Sequence, residues 1–456
     1  MGDKLVFWGL IGVLLWTPIP LGSDRLWSSL LLSCCIFSLA GYWLLLFCKG
    51  RVAISTAFLS AKPCWLALIC VVGWNALQII PMPFSWIKTL SPHAAEIYAS
   101  VSGDFPLFVP ISLDTGASLV SLMKAAAYLV FFCLMLLVVN DRRRLRILLY
   151  CAVAGGIFQA VYGSIMAMGG PVGSVATGTF VNRNHLAGHL ELCLALGIGL
   201  LMSEPSALKS NRWRAKLKLF MQLMLGPKAR LRLGLAIMVI ALVLTRSRMG
   251  NSAFFASLLI AGGVGLALFK TAKTSTLFLL ASLVLIDMFI VGHWFGVEEV
   301  ATRIQETNLS TEDRDDVDIS TLPLYKDYWL TGSGAGSYYN IFTAYKPNYI
   351  LEYWDHAHND YMEFACELGL IGFIPLSLSV IFSLFAAIKA QLNRSTSMSR
   401  GMGFGSTMGI IALLIHSSVD FNLQIPSNAL LFITVISIAW IARDISERPL
   451  LYTLEQ

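Results

Sequence analysis

The chain has 456 residues, of which 56% are hydrophobic and only 13% charged, with a mean hydropathy of +0.70. That leaves too little polar surface to cover a soluble globule of this size, so the sequence is that of an integral membrane protein. The net charge of +6 reads as membrane topology and contact with anionic lipid, not as a nucleic-acid footprint, and nine cysteines without CxxC or metal-type spacing imply no disulfide framework.

Twelve apolar runs separated by short charged or Pro/Gly-containing links predict an all-α polytopic transmembrane bundle rather than a membrane barrel. The expected spans are 5–21, 27–47, 64–82, 117–139, 147–168, 185–203, 231–245, 251–269, 275–294, 365–388, 403–419 and 428–443, with a large external loop between the ninth and tenth. The whole of 1–456 is expected to form one membrane domain. The first run is taken as a retained helix, because Pro18 and Pro20 lead into LGSDRLW without a small-residue cleavage pattern. With both termini inside, 23 of the 33 Lys and Arg residues fall on the inner side.

In chain order, residues 83–116 form an external segment with a short surface helix expected near 92–102. Lys124 in the fourth run is costly in lipid unless it snorkels or faces a cavity. The glycine-rich exit of the fifth run leads into TFVNRNHLAGHLE, where Arg183 precedes the sixth. His185 and His189, four residues apart, share a helix face but have no third metal ligand at a fixed spacing. The link 204–232 interleaves basic and apolar residues as a cytoplasmic interfacial helix would. The seventh run is short and ends in Arg246-Ser247-Arg248, so these arginines are expected slightly inside the membrane. There they require an anion, either a carboxylate such as Asp287 in the ninth run or a negatively charged ligand.

The external segment 295–364, with short helices, opens on an acidic stretch containing Asp313, Asp315, Asp316 and Asp318. This reads first as a solvated loop, with a cation or sugar-nucleotide site as the alternative. Eleven of the 37 residues from Tyr325 to Tyr361 are aromatic, suited to interface anchoring or to stacking on sugar faces. Gly332, Gly334 and Gly336 permit a tight turn or an anion nest. Next comes WDHAHNDYMEFACELGLIG, in which Asn359 or Asp360 would cap the tenth helix, leaving His356 and His358 to be explained. His416 and Asp420 are expected to pair with each other.

Crossing parity puts Arg183, Arg246, Arg248, the aromatic segment and His358 on one external face. Arginines at membrane depth, a histidine among carboxylates and exposed aromatics suit a substrate with an anionic head, a lipid tail and sugars, such as a polyprenyl-diphosphate-linked glycan. The chemistry this invites is displacement of the diphosphate at the anomeric carbon, with arginines on the leaving group and an imidazole taking the proton of the acceptor hydroxyl.

The residues resemble the O-antigen ligase and O-antigen polymerase superfamily of bacterial envelope glycosyltransferases. His358-Asn359, nine residues and then GLIG, from Gly369 to Gly372, are similar to the ligase pattern of His, a polar residue, nine positions and two spaced glycines. TRSRMG at 245–250 resembles the family's Ser-Arg-Gly segment, with Arg248 aligned and Met249 where glycine is usual. GTFVNRNHLAG at 178–188 resembles the segment that places Arg183, and the ligase-like core spans about 150–390.

The resemblance implies an inverting, metal-independent transferase of the bacterial inner membrane, without a cofactor, whose active site faces the periplasm. Its donor would be an undecaprenyl-diphosphate-linked glycan and its acceptor a second glycan, lipid A-core or a protein. His358 would be the base and Arg183 and Arg248 the diphosphate ligands. Arg246 joins them by proximity, and His356, Asn359, Asp360, Tyr361, Tyr338 and Tyr339 are candidates for positioning substrate. A polymerase is favoured over a ligase by the extended NRNHLAG segment. The alternative from another class is a membrane transporter of a small anion or sugar, which would show inverted repeats and charges at the bilayer midplane.

Overall fold

The computed structural model describes residues 2–102, 106–171, 173–203, 226–268, 312–347, 354–392 and 396–445. The first half contributes α1 (Lys4–Trp16), α2 (Leu26–Cys48), α3 (Thr56–Ser60), α4 (Lys62–Ile79), α5 (Phe84–Leu90), α6 (Pro92–Ser102), α7 (Thr115–Val138), α8 (Arg142–Gly169) and α9 (Arg183–Ser203). The second half contributes α10 (Pro227–Leu244), α11 (Arg248–Leu268), α12 (Glu312–Tyr328), α13 (Tyr338–Ile341), α14 (Asp360–Leu392), α15 (Ser397–His416) and α16 (Pro426–Asp444). Among the described residues, the only strands are two short ones, Met82–Pro83 and Phe108–Val109, paired antiparallel. Nine of these helices are long and apolar enough to cross a membrane, as an all-α polytopic bundle requires. The expected ninth span 275–294 with Asp287, and most of the link 204–232, lie outside the described residues.

Helix starts follow local chemistry. The Asp114 carboxylate accepts from Ala117 N at 2.9 Å, that of Asp141 from Arg144 N at 2.8 Å, and the Thr396 hydroxyl from Ser399 N at 3.0 Å. α10 differs from expectation. With Gly226 as N-cap and Pro227 at its first position, it begins four residues before Leu231 and has 18 residues, or about 27 Å at 1.5 Å per residue. Its two basic residues, Lys228 and Arg230, hid that first turn from an apolar count.

The centre of the bundle is α9, α15 and α16, each buried along nearly its whole length, with the other helices around them. Small residues let α9 and α15 approach closely: a Cβ on Gly199 would stand 2.6 Å from Gly401 O, and one on Gly405 2.7 Å from Ala195 O. The peripheral helices turn leucines such as Leu44 and Leu45 of α2 outward, as a lipid-facing surface needs. One end of the bundle is tied by Arg144, which grips both Asp3 carboxylate oxygens at 2.7 Å, and by the Ser60 hydroxyl on Asp444.

The segments expected on the outer face meet at the other end. Thr179 Oγ1 donates to Pro18 O at 2.6 Å, Ala176 N to Leu244 O at 3.0 Å, and Leu113 N to Ser333 O at 3.0 Å. There α5, α6, α12 and α13 close over a second apolar core containing Ile87, Tyr328, Tyr338 and Phe342.

Candidate active site

α14 starts where the sequence placed its cap. Asn359 Oδ1 accepts from Tyr361 N at 3.1 Å and Met362 N at 3.3 Å, so the five residues from Asp360 that looked like loop are the first helical turns. Nine residues later the helix breaks at Gly369, whose φ of +58° and ψ of −176° suit glycine alone. The broken turn exchanges backbone bonds with the preceding loop: Ser333 N donates to Cys366 O at 2.9 Å and Gly334 N to Glu367 O at 3.1 Å, while Leu370 N donates to Trp329 O at 2.9 Å. Gln78 Nε2 adds bonds to Thr331 O at 2.8 Å and Glu367 O at 2.9 Å. The glycine turn does form an anion nest, but for an internal anion: Gly336 and Tyr338 donate backbone N–H groups to the Glu367 carboxylate, the latter at 3.1 Å.

The clasp fixes the short helical piece that carries HAHND. His358 has a left-handed backbone, φ +52°, an uncommon state for a residue with a side chain. Its ring stands edge-on to Trp354, with centroids 5.0 Å apart, and to Phe421 at 4.7 Å, with 15% of the side chain exposed. Nδ1 lies 3.8 Å from Asp420 Oδ1, and the same carboxylate oxygen lies 3.8 Å from His185 Nε2. His185 also meets Phe421 edge-on at 4.7 Å, and His356 stacks on it at 4.3 Å, so three imidazoles surround one phenyl ring.

His356 differs chemically from His358. Its Nδ1 lies 2.7 Å from Glu363 Oε1. Burial works against the charged imidazolium, but the Glu363 carboxylate outweighs it and pushes the pKa of His356 up to about 9. A histidine raised in the folded state stabilises it fully below its ordinary pKa of about 6.5, and that contribution is lost as pH rises through 9. The melting temperature of the purified protein is therefore expected to fall between pH 6.5 and 9 by an amount that Glu363→Gln abolishes, measured by intrinsic fluorescence on heating.

Arg183 and Arg248 are each the first residue of a helix, α9 and α11, and both are exposed. Neither helix has an acidic residue in its first turn, so each pairs a guanidinium with the positive end of a helix dipole, an arrangement that favours a bound anion. Arg183 lies two residues before His185. The TRSRMG turn reaches α9 as well, because a Cβ on Gly250 would stand 2.6 Å from Ala187 Cβ and 3.1 Å from Glu191 Oε1. The close approach to α9 is made by Gly250, one residue after Met249. Arg246, at φ +52°, donates from Nη1 to Gly173 O at 3.4 Å.

Other candidates have different tasks. Asp360 is 1% exposed and accepts from Ser417 Oγ at 2.7 Å and Leu423 N at 3.1 Å, bracing α14 against the turn after α15. Tyr361 donates its hydroxyl to Leu414 O at 2.7 Å. Tyr338 is buried with its hydroxyl 2.8 Å from Thr321 Oγ1, while Tyr339 is 46% exposed.

The expected His416–Asp420 pair does not form. α15 ends at His416, the chain turns, and His416 Nδ1 meets buried Glu191 Oε1 at 2.8 Å, which leaves Asp420 for His185 and His358. Asp420 and Phe421 are the members of the site that sequence reasoning missed. The one signal in the external turn DFNLQIP was the four-residue spacing of Asp420 from His416, and it pointed to a different partner. His189 turns to Phe180, with ring centroids 5.3 Å apart. Among the described residues, no three or more His, Cys, Asp or Glu side chains are grouped to hold a metal ion.

Residues 233–377 match the O-antigen ligase family model. The match covers most of α10, the arginine turn, the external segment, HAHND and the Gly369 break, and stops before Asp420. No curated protein matches the chain.

Proposed function

We propose, with the O-antigen ligase domain at 233–377 as premise, that the chain is a glycosyltransferase of the bacterial inner membrane. Working on the periplasmic face, it moves a glycan from an undecaprenyl-diphosphate carrier to an acceptor hydroxyl. The match itself supports membership of the O-antigen ligase and polymerase superfamily and a glycan-transferring role in the membrane.

The observation that carries the finer reading is the meeting of His358 and Asp420 with the start of α9, against which the start of α11 packs, each of the two helices being led by an exposed arginine. The donor diphosphate lies against Arg183 and Arg248, with Arg246 beside them. The acceptor oxygen attacks the anomeric carbon, the bond from that carbon to the diphosphate oxygen breaks with inversion, and the acceptor proton passes to His358. Charge growing on the diphosphate is met by guanidinium groups and helix dipoles already in place. Asp420, 3.8 Å from His358, favours the imidazolium that proton transfer creates, and Trp354 and Phe421 hold the ring.

The test incubates purified protein with an undecaprenyl-diphosphate-linked repeat unit, alone and with lipid A-core. A product ladder without lipid A-core identifies a polymerase, a single transfer that needs lipid A-core identifies a ligase, and no glycan transfer under either condition overturns the reading. In the same assay Arg248→Lys is expected to lose roughly 10- to 100-fold, because an ammonium cannot make a guanidinium's two-point contact with phosphate. Activity within twofold of wild type would remove Arg248 from the diphosphate site.

A further inference from the structure

The second apolar core covers one side of α12 and leaves the opposite side bare. Val317, Thr321, Leu324 and Tyr328 are buried in it. Ile319, Leu322, Pro323, Lys326 and Trp329, the residue after the helix, are exposed, Ile319 at 68% and Trp329 at 49%. At about 100° per residue the buried four fall within an arc of about 60°, and the exposed five within an arc of about 120° opposite it. A helix on the surface of a water-facing cap turns polar residues outward. Here the outward positions are apolar apart from Lys326 and end on a tryptophan, the mixture carried by helices that lie in a bilayer's headgroup layer.

The place where α12 ends says what lies against that bare side. Trp329 O accepts from Leu370 N at 2.9 Å and Leu330 O from Ile371 N at 3.2 Å. From this junction along α14, Ile371, Ile374, Leu378 and Phe385 are exposed, and they fall within an arc of about 60°, the lipid-facing stripe of a membrane-crossing helix. The bare side of α12 thus meets the lipid-facing stripe of α14 at a hydrogen-bonded junction. We infer that α12 docks by this side on the headgroup layer of the bilayer at the site's end of the bundle. Ile319, Leu322 and Trp329 reach the ester level, and Lys326 extends its ammonium to lipid phosphate. Asp313, Asp315, Asp316 and Asp318 precede this stretch in the chain. Because the end of α12 also holds the turn after the Gly369 break, the membrane surface sets the depth of that turn. Docking of this kind is independent of the reaction.

The experiment places the full-length protein, one chain per disc, in phosphatidylcholine nanodiscs doped with phosphatidylcholine that carries a diazirine either beside the ester of one acyl chain or at that chain's end. Irradiation and peptide mapping then read depth. The shallow probe is expected to label 319–329 as well as 371–385, and the deep probe 371–385 without 319–329. Ile319→Glu combined with Leu322→Glu is expected to cut the shallow label on 319–329 about tenfold and to leave that on 371–385 unchanged. Shallow label absent from 319–329 while 371–385 is labelled, equal label on 319–329 from both probes, or label that survives the paired substitution would each overturn the inference. The wild-type pattern decides by itself if the paired variant fails to fold. Cross-links through Lys326 between two chains, with the shallow label lost in discs that hold two, would assign the face to a second copy and overturn it as well.

Discussion

Replacing His358 with alanine is expected to lower glycan transfer by roughly 10²- to 10⁴-fold, the range contributed by a positioned general base, with little loss of membrane-inserted protein. The neighbouring histidine provides the contrast. With its pKa raised to about 9 by Glu363, His356 holds its proton at pH 7 in all but roughly one molecule in a hundred, so it cannot serve as the base there. His356→Ala is therefore expected to act through stability, by stranding the Glu363 carboxylate, while His358→Ala acts on the rate. The measurement is single-turnover transfer at matched amounts of folded protein, judged by size-exclusion profile. A His358→Ala rate within fivefold of wild type would dismiss the proposed base. An equal rate loss in His356→Ala at matched folding would move the assignment.

Nine of the twelve expected membrane spans were legible because bilayer burial leaves an apolar run that needs no tertiary information, and the cap at Asn359 because capping is local chemistry. Crossing parity went further, bringing Arg183, TRSRMG and HAHND to one face from distant parts of the chain. The structure brings the helix starts and turns that carry them to one end of the bundle.

Pairing between helices could not be read in this way. Four-residue spacing suggested His416 with Asp420, but that spacing has meaning only while the helix continues, and α15 stops at His416. Glu191 becomes its partner because small residues let α9 and α15 pack closely, a consequence of tertiary fit. The glycines of 332–336 looked like a possible ligand nest. That they serve Glu367 and the break at Gly369 depends on a loop and a helix end meeting in space.

Gly369 is where the second large effect is expected. Its φ of +58° with ψ of −176° falls in a region open to glycine alone, and any Cβ there would collide with the carbonyl oxygen of Leu330 and the backbone nitrogen of Gly332. Both obstacles are backbone, so no rotamer change relieves them. Strain of about 1–3 kcal/mol and overpacking of about 1–3 kcal/mol act together, and Gly369→Val is expected to cost roughly 4 kcal/mol, enough to remove most folded protein. Gly369→Ala should survive in lower yield with a reduced melting temperature. Gly372, three residues on, is the internal control: it is an ordinary helical glycine whose added Cβ would stand 2.6 Å from Trp74 Cδ1, a side chain that can shift.

If the break serves only packing, Gly369→Ala and Gly372→Ala will lose stability in proportion to their contacts and keep the wild-type rate per folded molecule. If it positions the base, Gly369→Ala alone will also lower that rate. The turn from Cys366 to Gly369 is bonded to the external loop on one side and continues into the helical piece carrying Glu363 and the HAHND cap on the other. Moving that turn by even an ångström moves His358 relative to Asp420, which α14 does not carry. A Gly369→Ala protein that melts with wild type and transfers glycan at the wild-type rate would refute both the clasp and its link to the site.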